Sequence, residues 1–364
     1  MSRFHLLPRL LFLLALALIS APATALPEPA SGLYIAHDFR FASGETLKEM
    51  KLAYTTLGTP HRNAKGEIDN AVMFIHGTGG TGRQFLAQPF GDALFGPGKP
   101  LDAARFFVIL PDAIGHGGSS KPSDGLRMAF PRYDYADMVE AHYRLLAEHL
   151  GVHHLKIILG YSMGGMGTFQ WATTRPDFAD TYVPLGCYPV EVAGQNRMQR
   201  KLQIDAIKGD PAWAGGNYRT QPVAGLRNAM GVALLFSGSA LDRQTQAPTR
   251  ETADNLLEVS INSMIQGRDA NDVIYQVDAS RTYNPWPLLD RIKAPLLWVN
   301  AADDQVNPVS IDVTPAALKR MPTAQFLLIL AGKDTRGHGT LMQAQYWADR
   351  LGQFLAPVAP ATAP

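Results

Sequence analysis

The stretch that most restricts how this chain can fold is Ile157-Ile158-Leu159-Gly160-Tyr161-Ser162-Met163-Gly164-Gly165-Met166-Gly167. An apolar run enters G-x-S-x-G and continues into a helix-like segment, which predicts a strand, a sharp turn and a helix with a serine at the bend. Gly160 and Gly164 stand where a Cβ would strike the neighbouring turn. Ser162 is thereby a candidate nucleophile.

The rest of the chain has the rhythm such a turn requires. Short apolar runs bounded by Gly or Pro occur at residues 71–75, 106–110, 156–159, 182–185, 296–299 and 325–330. Runs of this length without alternation suit strands buried on both faces of a parallel sheet. Helical patterns at 135–150, 167–174 and 341–355 lie between or after them. The alternation predicts an α/β layered fold. Residues 190–290 break the rhythm, being richer in Asn, Gln, Gly and Met with helix-like stretches such as 252–265, and are expected to form a helical cap. The expected division is 1–25 a cleaved signal peptide, 26–189 the first part of the core, 190–290 the cap and 291–364 the second part of the core.

Composition narrows the partners. With 46% hydrophobic and 18% charged residues the 364-residue chain can bury a large core. Its 33 Lys+Arg against 32 Asp+Glu leave a formal charge of +1, with no basic cluster, which argues against nucleic acid as a partner. Arg3 and Arg9, the apolar residues 10–19 and Ala23-Thr24-Ala25 read as a secretory signal cut after Ala25. That apolar run is too short for a bilayer core, which needs roughly 20 residues. Export to the periplasm or medium is therefore expected, with no stable membrane insertion after cleavage. Residues 26–31 and 356–364, rich in Pro and Ala, read as flexible ends. The single cysteine, Cys187, cannot form an internal disulfide and reads as a small buried hydrophobe.

A serine nucleophile needs a base, an acid that orients the base, and donors for an oxyanion. The acid and the histidine should follow the serine in the chain. Asn300-Ala301-Ala302-Asp303-Asp304-Gln305-Val306-Asn307-Pro308 places two carboxylates at the end of an expected strand. Gly337-His338-Gly339 follows the next strand, just before the last helix, and makes His338 the candidate base. Asp304 is preferred as the acid because of its D-x-x-x-P context, with Asp303 as a neighbour that steadies the loop. Upstream, Phe74-Ile75-His76-Gly77-Thr78-Gly79-Gly80 runs from a strand into a glycine loop, so the amides of Thr78 and Met163 are the candidate oxyanion donors. His116 reads as a loop histidine in a scaffolding turn. His153 and His154, being adjacent, point apart and carry no ligand spacing, so no metal is expected. No cofactor is required by this set.

Taken together these features resemble the α/β-hydrolase superfamily, and within it the homoserine O-acetyltransferases. That closer resemblance rests on Phe130-Pro131-Arg132, Asp137-Met138-Val139, Leu150-Gly151-Val152, Ser162-Met163-Gly164-Gly165-Met166, Trp171-Ala172 and Arg175-Pro176-Asp177. It extends into the cap through Gly209-Asp210-Pro211-Ala212-Trp213-Ala214-Gly215-Gly216-Asn217-Tyr218 and Gly225-Leu226. It implies Ser162 as nucleophile, Asp304 as acid, His338 as base and a homodimer as a compatible assembly. The chain departs from the family where Gly339 follows the base in place of an acidic residue. It departs again where the cap reads Ala229-Met230 and Phe236-Ser237-Gly238 in place of Ala-Arg and Tyr-Arg pairs. Those losses remove the charges that would clamp an amino-acid zwitterion.

The expected function is an exported serine hydrolase that cleaves a small-molecule ester through an acyl-enzyme. The alternative is an O-acyltransferase related to homoserine O-acetyltransferase with an altered acceptor. A catalytically silent binding protein is the third reading. Met198, Trp213, Tyr218, Met230, Phe236 and Met264 could line a pocket beneath the cap, or form the cap's own core.

Overall fold

The computed structural model describes residues 26–356. The signal expected at 1–25 and the tail at 357–364 lie outside them. An eight-stranded sheet runs in the order β1-β2-β4-β3-β5-β6-β7-β8. Its strands are β1 (Ala30–Arg40), β2 (Thr46–Leu57), β3 (Ala71–Ile75), β4 (Phe107–Pro111), β5 (Leu155–Tyr161), β6 (Ala179–Leu185), β7 (Leu296–Ala301) and β8 (Ala324–Ile329). β2 pairs antiparallel with β1 and β4, whereas β4, β3, β5, β6, β7 and β8 run parallel.

The central strands are apolar throughout because both faces are covered. Met73 and Ile75 of β3 enter one core cluster, while Val72 and Phe74 enter the other. Leu296 and Trp298 of β7 divide from Leu297 and Val299 in the same way. Successive side chains point to opposite faces, so a continuous apolar run in sequence becomes two half-cores in space.

The hairpin β1–β2 was not among the expected strands, and the flexible spacer expected at 26–31 is overturned at its end. Ala30 and Ser31 open β1, opposite Thr56 and Thr55 of β2, and Leu26 packs on the core beneath. These strands form an edge half open to water, and charged residues such as Lys48, Glu49 and Lys51 interrupt their apolar pattern.

The core helices include α1 (Phe90–Phe95), α2 (Tyr135–Arg144), whose last turn widens into a π-helix at Leu145–Leu150, and α3 (Met163–Thr174). Between β6 and β7 the chain leaves the sheet for α4 (Gly194–Lys208), α5 (Val223–Ser237), α6 (Ala240–Gln246), α7 (Arg250–Ile265) and α8 (Ala270–Asp278). It then returns through α9 (Thr314–Arg320) to α10 (Ala348–Leu355). The helices of the excursion bury a cluster of their own, with Ile204, Ile207, Leu226, Met230, Val273 and Ile274 among its members. α8 also ties the excursion to the sheet domain. The Tyr275 hydroxyl donates to the Phe130 carbonyl at 2.5 Å, and Gln276 Nε2 donates to the Gly115 carbonyl at 2.8 Å. Among the described residues no helix is long and apolar enough to cross a membrane.

Candidate active site

Ser162 sits between β5 and α3 with φ 56° and ψ −112°, a conformation that costs a non-glycine residue about 1–3 kcal/mol. Close backbone packing on both sides of it holds the turn. A Cβ on Gly160 would lie 2.0 Å from the Gly164 carbonyl oxygen, and one on Gly164 would lie 1.8 Å from that of Ile75. The Ser162 amide donates to the Leu185 carbonyl at 2.8 Å, which pins the turn to β6. Cys187, fully buried beside Gly165, fills the space below.

The acid and base come from the two neighbouring strand ends. Asp304 follows β7 and His338 follows β8, both buried, and His338 Nδ1 lies 2.7 Å from Asp304 Oδ2. A carboxylate can only accept, so Nδ1 carries a proton, and in the neutral imidazole this tautomer leaves the lone pair on Nε2. Asp304 also accepts from the amides of Val306 at 2.8 Å and Asn307 at 3.2 Å, and from Asn307 Nδ2 at 3.2 Å. Asn307 Nδ2 reaches on to the Gly186 carbonyl at 2.8 Å. The Tyr161 ring packs on the imidazole with centroids 5.1 Å apart. Asp303 faces elsewhere: its Oδ2 accepts from Thr335 Oγ1 at 2.7 Å and from the Gly337 amide at 3.1 Å, so it braces the loop that carries His338.

Ser162, His338 and Thr78 line one cavity of about 230 Å³. Ser162 makes no hydrogen bond to His338 among the described residues; such contacts commonly tighten only around substrate. Met163 opens α3, so its amide is one of the first-turn donors without an intrahelical acceptor. The Gly77-Thr78 loop passes directly over the serine, and a Cβ on Gly77 would lie 3.6 Å from that of Ser162. His76 anchors this loop. Its Nδ1 donates to the Gly77 carbonyl at 2.9 Å and its Nε2 accepts from the Ala113 amide at 3.0 Å, while burial lowers its pKa. His116 is likewise buried and held neutral, stacked edgewise on His76.

The cap residues divide. Met230, Phe236 and Met264 reach the cavity; Trp213 and Tyr218 pack within the cap, and Met198 is 67% exposed. Sequence reasoning did not single out six polar lining residues, Gln84, Gln199, Arg200, Gln203, Arg268 and Gln276. Gln199, Arg200 and Gln203 lie on α4 and Gln276 on α8, whereas Gln84 precedes α1 and Arg268 lies in the α7–α8 connection, so no single local pattern marks the set. A larger cleft of about 500 Å³ lies between Arg132, Lys201 and Asp278 and contains none of Ser162, Asp304 or His338. Among the described residues no three His, Cys, Asp or Glu side chains converge as a metal-ligand set.

The family described as alpha/beta hydrolase fold matches residues 70–332. The chain belongs to that family. A probable acyltransferase from Methanothermobacter thermautotrophicus is 30% identical over 301 residues, covering 82% of this chain and 90% of that protein. A homoserine O-acetyltransferase from Solidesulfovibrio magneticus is 32% identical over 289 residues, covering 73% of this chain and 68% of its own length. These place the chain in the homoserine O-acetyltransferase-like branch. An acetylester hydrolase from Corynebacterium glutamicum shares the fold with a TM-score of 0.76 at 20% identity, over 89% of this chain and 95% of that one. The protein is an enzyme of the class that holds ester hydrolases and acyltransferases.

Proposed function

We propose that the protein is an O-acyltransferase with Ser162 as its nucleophile and an acceptor other than homoserine, with water as a competing acceptor. The observation that carries the chemistry is the buried Asp304–His338 pair, 2.7 Å apart, opening on the same cavity as Ser162. Ser162 Oγ attacks the acyl carbonyl while His338 Nε2 takes its proton, and the amides of Met163 and Thr78 hold the oxyanion. The proton passes to the departing group, leaving an acyl-serine. An acceptor hydroxyl then gives its proton to His338 and attacks the acyl carbon, and the serine recovers its proton as it leaves. Asp304 orients the imidazole and offsets its positive charge.

Sequence alone put water first. The relatives move the weight to transfer, since the two aligned over most of their length are named acyltransferases. The cavity lining favours a changed acceptor: it holds no Asp or Glu to receive an amino acid's ammonium. Export, read from residues 1–25, belongs to the same proposal and is tested by the N-terminal mass of the protein recovered outside the cytoplasm. For transfer, the purified enzyme is incubated with an activated acetyl ester, with and without simple hydroxyl acceptors. The expected result is an acetylated acceptor formed in competition with free acetate, and neither product with Ser162→Ala. Acetate alone at every acceptor concentration would leave hydrolysis in place of transfer.

A further inference from the structure

The cavity around Ser162 contains two guanidinium groups and no carboxylate among its lining residues. Arg200, on α4, is buried and has neutral partners only. Its Nε donates to Asn196 Oδ1 at 2.8 Å, and its Nη1 reaches the Val277 carbonyl at 3.4 Å. Arg268, between α7 and α8, donates from Nε to the Met264 carbonyl at 2.6 Å, and neither of its Nη groups has a partner among the described residues. That guanidinium lies over the oxyanion loop, where a Cβ on Gly79 would fall 2.3 Å from Arg268 Nη1.

Arg268 also borders an adjoining cavity lined by Asp269 and Asp272, and both of these acids are committed to other partners. Asp269 accepts from the Tyr218 hydroxyl and from Gln221 Nε2, both at 2.7 Å, and caps α8. Asp272 accepts from the Ser123 amide and hydroxyl at 2.8 and 2.7 Å. Burial pulls the pKa of Arg268 down with no acidic neighbour to offset it. The larger cleft shows the contrast: there Asp278 sits 2.7 Å from Arg132, 3.9 Å from Arg197 and 3.8 Å from Arg281. Each of those three arginines has a carboxylate oxygen within 3.9 Å. Neither arginine beside Ser162 has one among the described residues.

We infer that the substrate carried in this cavity bears a carboxylate and no ammonium group, with Arg268 as the residue that holds the carboxylate and Arg200 adding to the positive field. The inference rests on the acyl-transfer reading for the place of the reacting ester, and it names the class of compound that the altered acceptor belongs to. A free guanidinium offers two parallel donors that match a carboxylate's two oxygens. The glutamines that line the same cavity, Gln84, Gln199, Gln203 and Gln276, can bond the ester's neutral polar atoms but cannot balance a positive charge on the ligand.

Three probes of nearly the same shape separate the cases: 3-acetoxypropanoate, its methyl ester, and O-acetylserine. They are an anion, a neutral molecule and a zwitterion on one skeleton. Calorimetric titration into the Ser162→Ala protein measures binding without turnover. The anion is expected to bind roughly tenfold tighter than either of the others, the scale of one charge-assisted contact. In the Ser162→Ala, Arg268→Gln double variant that ratio is expected to fall towards one. Equal affinities, no binding by any probe, or an equal loss for all three on Arg268→Gln would overturn the inference. Labelling of the wild type by a fluorophosphonate is read separately. Its absence would remove the acyl-enzyme reading, whereas the binding ratios report the anion site in either case.

Discussion

Two carboxylates stand side by side at the end of β7, and only one reaches the imidazole. Asp304 accepts four hydrogen bonds, including the one from His338, while Asp303 holds the loop on the far side. Sequence favours Asp304 through its spacing to Pro308, and the backbone turn that begins there directs it towards His338. The amides of Val306 and Asn307 close on its own side chain, which orients it before any partner arrives. Ser162→Ala is expected to lower turnover by at least roughly a thousandfold and to abolish fluorophosphonate labelling. Asp304→Asn should keep the fold and lower kcat by about a hundredfold or more, because the amide can no longer fix the proton on Nδ1. Burst kinetics with an activated ester check both. If Asp303→Asn were instead the more damaging change, the assignment of the acid would have to be exchanged. Arg200 and Arg268 could not be read from the sequence in this way, because their charge means something only once cap packing shows that no acid lines the cavity with them.

The elbow and the central strands were readable because each local signal agrees with the tertiary arrangement. Continuous apolar runs mark strands covered on both faces, and the glycines mark backbone crossings. The hairpin β1–β2 was hidden because an edge strand open to water mixes charged and apolar residues. The glycines allow a sharp comparison within α3. Gly164→Ala drives a methyl into the Ile75 carbonyl of β3 and should cost at least roughly 3 kcal/mol. Gly167→Ala meets nothing nearer than an Ile75 side-chain carbon at 3.7 Å and should stabilise the helix by about 0.5–1 kcal/mol. Urea unfolding of the two variants tests this; similar effects would mean that the turn is not set by backbone contact. On α2, buried His142 has a pKa lowered to about 3, first by burial and then by the field of His76. The unfolded chain binds that proton below about 6.5, so stability is complete above that pH and falls as pH drops towards 3. Between pH 7 and about 5 this residue should remove roughly 2 kcal/mol. His142→Leu should flatten that part of the acid limb in urea titrations, and an unchanged slope would show that His142 is already protonated in the folded state.

The sheet positions the proposed acyl chemistry, and the helical excursion covers the cavity where it would take place. Ser162, Asp304 and His338 all follow carboxyl ends of parallel strands, where an open α/β sheet leaves its crevice. Over them lie α4, α5 and the α7–α8 connection, which supply Arg200, Phe236 and Arg268. This division explains why the broad enzyme class was readable from motifs while the substrate was not: the motifs belong to the sheet, and the lining depends on how the cap settles on it. Phe236 is the place to probe that dependence. Met230 belongs both to the cavity and to the cap's own cluster, so truncating it would hollow the cap as well. Phe236 lines the cavity but is not part of that cluster. Phe236→Ala should therefore enlarge the acyl space with a change in Tm of no more than roughly 3 °C. Each additional buried methylene adds about 0.8 kcal/mol, so the butyryl-to-acetyl ratio of kcat/KM should rise roughly tenfold. An unchanged ratio with intact activity would place the acyl chain away from α5, and Phe236 would then bound the acceptor side, next to the arginines.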